Sequence, residues 1–281
     1  MSFLPRIRWS NIPVRMISSK VEATSKLLGK SAIVTASTDG IGLSIAKRLA
    51  VDGANVVLSS RQQNNVDRAL SDVRKFCEEH NASGKVEGVV AHVAKAEDRT
   101  KLIEKALSSF GKLDIVVSNA AVSPAFGPIL ETTETVWDKI FEINVKNAFL
   151  LAKESAPHLQ KAGDGSIVFI SSIAGYQPMK FLGAYSVSKT ALLGLTKALA
   201  SEMGDVGVRV NCVCPGIIKT KFSQPLWESE DIKTMMMYQT PLKRLGEADE
   251  IGGVVSFLCS QDASYITGEN VVVAGGMLSS L

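Results

Sequence analysis

The stretch from Ser171 to Lys189 holds two tyrosine and lysine pairs of one spacing, Tyr176/Lys180 and Tyr185/Lys189. A phenol beside an ammonium can exchange a proton with an alcohol or a carbonyl, provided its ordinary pKa of about 10 is drawn toward neutrality. Moving it by about three pH units corresponds to roughly 4 kcal/mol, a plausible sum for a close cation in a partly desolvated site. The two side chains meet only if a helix brings positions i and i+4 onto one face. Pro178 lies inside the first pair and breaks helical hydrogen bonding there. The second pair opens the helical run AYSVSKTALLGLTKALASEM. Tyr185/Lys189 is therefore the candidate and Tyr176/Lys180 the decoy, with an inert surface pair as the alternative.

A second kind of chemistry is suggested near residue 40. The run SAIVTA leads into Thr35-Ala-Ser-Thr-Asp-Gly40-Ile-Gly42 and then into helical LSIAKRLAVDG. Glycines at a strand-to-helix turn let backbone N–H groups approach a pyrophosphate, and the helix N-terminus adds partial positive charge. A strict G-x-G-x-x-G is absent, and such a turn can also be purely structural. At the end of the next strand a carboxylate would accept the ribose hydroxyl of NAD, whereas arginine accommodates the 2′-phosphate of NADP. The chain has Ser59-Ser60-Arg61 there, with no acid.

These residues need a scaffold, and the pattern supplies one. Short β-branched runs near 31–36, 55–60, 86–91, 113–118, 166–171, 207–213 and 270–274 alternate with segments of helical period. That alternation predicts an α/β fold, a single Rossmann domain with a doubly wound parallel sheet of about seven strands flanked by helices. Residues 30–281 form that domain, and 1–29 an extension. The 281 residues are 46% hydrophobic and 21% charged with a net charge of +3, ordinary globular composition with no basic block for a nucleic-acid surface. No run approaches the 18 or so apolar residues of a membrane-spanning helix. Cys77, Cys212, Cys214 and Cys259 read as reduced buried thiols, and neither they nor His80, His92 and His158 have metal-ligand spacing, so no metal is expected. The first 20 residues are basic and acid-free like a mitochondrial presequence, with a disordered tail as the alternative and Met16 as a second candidate start. Ser279-Ser280-Leu281 is a departure from the peroxisomal S-K-L address. Peroxisome, mitochondrion and cytosol all remain open.

Thirteen residues before Tyr185 stands Ser172, and Asn144 lies upstream in WDKIFEINVK. Asparagine, serine and Tyr-x3-Lys in this order resemble the short-chain dehydrogenase/reductase family, and the resemblance covers nearly all of 30–276. VTASTDGIG is similar to the family's T-G-x3-G-x-G turn with Ala36 in place of its first glycine. Ser118-Asn119-Ala120-Ala121 is similar to its N-N-A-G, and Pro215-Gly216 with Thr220 to its P-G-x3-T. His92 precedes Val93 where many members carry Asp-Val, which puts one adenine contact in doubt. The wording of VSKTALLGLTKALA, VRVNCVCPGIIKT and SQDASYITGENVVVAGG most resembles a branch of NADPH-dependent carbonyl and retinal reductases often found in peroxisomes.

The resemblance implies catalytic roles for Asn144, Ser172, Tyr185 and Lys189. NADP(H) would deliver hydride, Tyr185 would protonate the carbonyl oxygen, and Ser172 would hydrogen-bond it. Lys189 would bind the nicotinamide ribose and lower the Tyr185 pKa, while Asn144 would hold a water. It further implies cofactor contacts at Thr35, Ser37, Asp39, Gly40, Ile41, Ser60, Arg61, Val93, Asn119, Ala120, Ala121, Pro215, Gly216, Ile218 and Thr220 beside Tyr185 and Lys189. Region 221–245 falls where the family carries a substrate lid, and its Trp227, Met235, Met236, Met237 and Tyr238 could wall an apolar site; ordinary helix packing is the alternative. Tyr176 and Phe181, with Leu182, are further wall candidates. The expected substrate is an apolar or aromatic ketone or aldehyde, an α-dicarbonyl or a retinoid. A 3-oxoacyl or steroid oxidoreductase, or a non-catalytic NADP-binding scaffold, are the competing readings. A homotetramer is expected.

Overall fold

In a computed structural model, residues 25–277 are described. The basic N-terminal segment and Ser279–Leu281 lie outside them. Seven strands form one parallel sheet: β1 Ser31–Val34, β2 Asn55–Ser60, β3 Val86–Val90, β4 Ile115–Ser118, β5 Gly165–Ile170, β6 Val208–Pro215 and β7 Asn270–Val273. Their order is β3-β2-β1-β4-β5-β6-β7, and every neighbouring pair is parallel. Each strand falls where the β-branched runs predict it.

Side chains of a strand point to alternate faces, and here both faces are apolar. Ala32, Val34, Val56, Leu58, Ile115, Val117, Val168 and Ile170 face one core, while Ile33, Val57, Val116, Ile167 and Phe169 face the other. The first core is closed by α1 (Gly40–Val51), α2 (Gln63–Glu79) and α9 (Ala248–Cys259). The second is closed by α3 (Ala96–Phe110), α5 (Asn147–Ala162) and α6 (Gly183–Met203). Helix α4 (Glu134–Phe141) runs into α5 through a π-helical turn, Glu142–Lys146. Two short helices, α7 (Gln224–Trp227) and α8 (Glu230–Gln239), occupy the region after β6. All four cysteines are buried and free, with the Cys212 and Cys214 sulfurs 3.9 Å apart on one face of β6.

The strand order reverses between β1 and β4. Connections leave these two strands in opposite directions, and the gap beyond their carboxyl ends is where open α/β sheets bind ligands.

Candidate active site

The glycine turn is held from beneath. Ala36 sits at φ +49, in the left-handed region that disfavours a Cβ, at the position of the family's first glycine. Gly42 cannot be replaced, because a Cβ there would stand 2.4 Å from the Ala36 carbonyl oxygen and 2.5 Å from Asn119 Nδ2. Asn119 donates through Nδ2 to the carbonyls of Thr35 and Ala36, both at 3.0 Å. Thr35 Oγ1 accepts from the N–H groups of Asn119 and Ala120 at 3.0 and 3.1 Å. Ser37 Oγ donates to Val34 O at 2.6 Å and accepts from Ser59 N at 3.0 Å. Thr35 and Ser37 are therefore buried supports of the turn. Their hydroxyls are spent on sewing β1 to β2 and β4. Asp39 caps α1, accepting from Gly40 N at 2.9 Å.

The catalytic candidates converge from three elements. Ser172, just beyond β5, caps a short 3-10 turn, Ile173–Gly175, accepting from Ala174 N at 3.1 Å. That turn is tied to α6 by Ser171 Oγ to Lys189 O (2.8 Å) and Thr190 Oγ1 to Gly175 O (2.7 Å). Gly175 is needed there, since a Cβ would lie 2.9 Å from the Lys189 backbone. Tyr185 and Lys189, one turn apart on α6, thus face Ser172 across a fixed gap, and the Tyr185 hydroxyl hydrogen-bonds the Ser172 side chain. Lys189 is buried and donates from Nζ to Ile170 O at 2.7 Å, 5.6 Å from the Tyr185 ring centroid.

The electrostatics run against the sequence expectation. Burial pushes the Tyr185 phenol up to about 12, and the Ser172 hydrogen bond only partly offsets it. Burial also pushes Lys189 down to about 8. The chain alone therefore holds a protonated phenol rather than a phenolate, because an amine that is itself desolvated and bonded to a carbonyl does little to ionise its neighbour.

Asn144 sits in the π-helical turn, a feature that often marks functional sites. Its Oδ1 accepts from Val122 N at 2.8 Å, and its Nδ2 donates to Val122 O and Ser188 Oγ, each at 3.0 Å. The side chain amide is committed to joining the segment after β4 to α6. It positions the site and does not line the cleft.

A cleft of about 330 Å³ lies over these groups, lined by Gly40, Ile41, Asn119, Ser172, Tyr185 and Lys189, by Pro215, Gly216, Ile218 and Thr220, and by apolar Phe126, Ile173, Met179, Leu182, Phe222 and Leu226. It adjoins a cavity of about 990 Å³ that shares Ala36, Asp39 and Ala121 with it and reaches Ala120, Val93, Ser60 and Arg61. The continuous groove, the N-terminus of α1 opening on it and the close-packed glycine turn fit a dinucleotide. Arg68, overlooked in the sequence, stands beside it with Nη2 3.3 Å from Thr38 O.

Two wall candidates fall outside the lining of this cleft. Tyr176 does not line the cleft; Pro178 leaves it in a loop, with its hydroxyl 3.2 Å from Asn270 O and its pKa raised by burial. Phe181, at φ +69, turns away to pair with Phe126 at 5.4 Å between centroids and lines a separate pocket. The region 221–245 contributes to the cleft through its first residues. Met235 and Tyr238 are exposed and Met236 is packed inward, while Phe222, Pro225 and Leu226 supply the wall. Phe222 lies 6.0 Å from the Tyr185 ring.

Residues 35–278 match the profile of a family described as enoyl-(acyl carrier protein) reductase. Dehydrogenase/reductase SDR family member 4 of Oryctolagus cuniculus is 54% identical over 95% of this chain and 100% of its own length. The chain belongs to the short-chain dehydrogenase/reductase family. Solved structures agree. A 7α-hydroxysteroid dehydrogenase complexed with NADH and a 7-oxo bile acid conjugate superposes with a TM-score of 0.84 at 29% identity, covering 92% of this chain and 98% of its own. A putative NAD(P)-dependent gluconate 5-dehydrogenase from Beutenbergia cavernae, with bound NADP, gives 0.83 at 31% identity over 91% and 99%. Membership makes this an oxidoreductase acting on CH–OH or carbonyl groups with a nicotinamide cofactor. Since those two relatives were solved with different dinucleotides, the choice between them must come from this chain's own residues.

Proposed function

We propose that the protein is an NADPH-dependent reductase of apolar or aromatic ketones, aldehydes, α-dicarbonyls or retinoids. The observation that carries this reading is the Tyr185 phenol beside Ser172 at the floor of an apolar cleft whose groove reaches Ser60 and Arg61, at the end of β2, where no carboxylate stands.

NADPH, when bound, supplies the hydride. Tyr185 gives its proton to the carbonyl oxygen as negative charge develops there, and Ser172 donates a hydrogen bond to the same oxygen. Lys189, held by Ile170 O, stands where protonation can stabilise the phenolate that remains. Asn144 keeps α6 in register through Ser188. Phe126, Met179, Leu182, Phe222 and Leu226 exclude water and favour an apolar substrate. Arg61 offers a planar fork for the 2′-phosphate. A homotetramer completes the proposal, with elution expected near four times the 30.0 kDa chain mass.

The deciding experiment is a panel of aryl ketones, dicarbonyls, retinal, a 3-oxosteroid and a 3-oxoacyl thioester, each with NADPH and NADH. Preferred turnover of the first three with NADPH is expected. Preference for the thioester or steroid would move the protein to a different substrate class, and binding of NADPH without any turnover would make it a scaffold.

A further inference from the structure

Asp39 presents a problem. Its carboxylate lies at the N-terminus of α1, where a dinucleotide's diphosphate must come, and like charges there repel. Lys221, 182 residues away in sequence, answers it: Nζ stands 2.9 Å from Asp39 Oδ2, and both residues line the cleft. Although burial works upward, the Lys221 ammonium and the Gly40 N–H hold the Asp39 carboxyl below its ordinary value. Yet the pair is open to solvent, with side chains 76% and 52% exposed, and such a pair holds its partners loosely. A lysine on a flexible stem is free to trade one oxygen anion for another.

Resting on the cofactor reading above, we propose that Lys221 is a further ligand of the dinucleotide's diphosphate, one that neutralises Asp39 and exchanges that carboxylate for phosphate oxygens. Its neighbours give the exchange a reach into the substrate side. Thr220 abuts the glycine turn, where a Cβ on Gly40 would meet its Cγ2 at 3.2 Å, and Phe222 packs on the Tyr185 ring. Three consecutive residues thus touch the turn, the anion site and the proton donor.

Calorimetry with two fragments tests this without turnover. ADP-ribose carries the diphosphate and no 2′-phosphate; 2′-AMP carries the 2′-phosphate and no diphosphate. Lys221→Met is expected to weaken ADP-ribose by roughly three- to tenfold, the effect of one exposed charge-assisted contact, and to leave 2′-AMP unchanged. Arg61→Met is expected to do the reverse. Adding Asp39→Asn to Lys221→Met, which preserves the helix cap, should restore part of the lost ADP-ribose affinity. Lys221→Met that binds ADP-ribose as tightly as the parent, or loses both fragments equally, overturns the proposal. A parent protein that binds neither fragment overturns the cofactor reading itself.

Discussion

Replacing Lys189 by methionine should change how stability depends on pH. Lys189 is 2% exposed and burial lowers its pKa from 10.5 to about 8, so the folded chain carries a charge it would rather release. Below pH 8 folded and unfolded chains are both protonated here, and the desolvation cost is present in full. Between about 8 and 10.5 the unfolded chain binds the extra proton, so stability rises with pH in that window. The full span corresponds to roughly 3 kcal/mol, of which about 2 kcal/mol is recovered between pH 7 and 9.5. Loss of the Nζ bond to Ile170 O adds a destabilising offset in the variant, but that offset does not titrate. Denaturant unfolding of both proteins at pH 7, 8.5 and 9.5 isolates the titrating part. The parent should gain about 2 kcal/mol on the variant across the series. Parallel stability curves would refute the reasoning, since they would mean that Lys189 is as easily charged in the fold as in water.

Tyr185→Phe should abolish reduction while NADPH binding, followed by nucleotide fluorescence, stays close to that of the parent; Tyr176→Phe should leave single-turnover reduction intact because its hydroxyl faces Asn270 O. Ser60→Asp with Arg61→Leu should invert the preference of kcat/KM from NADPH to NADH. The swing should be about ten- to a hundredfold, from roughly 1–3 kcal/mol left after desolvation of a phosphate-to-guanidinium contact, and should shrink in high salt. Ala36→Gly should raise the unfolding midpoint, because relief of about 1–2 kcal/mol of left-handed strain exceeds the entropy cost of about 0.5–1 kcal/mol that glycine brings.

The sheet was legible because its central strands are buried on both faces and read as short apolar, β-branched runs between polar or glycine punctuation, even though Glu87 interrupts β3 and Arg209 and Asn211 interrupt β6. The choice of Tyr185 over Tyr176 was legible from Pro178, a local rule with a local consequence. What escaped depends on side-chain direction or on distance along the chain. Thr35 and Ser37 stand in a glycine turn that looks like a phosphate cradle, yet a strand alternates its faces, and their hydroxyls point inward to backbone partners. Nothing in EINVK announces a π-helical turn, and the contact of Lys221 with Asp39 spans most of the domain. The direction of the Tyr185 shift needed the burial of the phenol itself, which composition does not reveal.

The packing of α1 on α9 has a consequence for how the protein is made. Ile45 and Leu49 of α1 share one cluster with Ile251, Val255 and Leu258 of α9, and Ser44 Oγ bonds Asp249 at 2.7 Å. About 200 residues separate the two helices, and at roughly 5–20 residues per second a ribosome takes on the order of 10–40 seconds to supply them. During that interval the newborn chain shows a greasy helix face whose cover has yet to be translated. Slowing elongation through 52–247 should therefore increase capture of nascent chains by holdase chaperones, and a polar substitution at Leu49 should reduce that capture even as it weakens the finished fold.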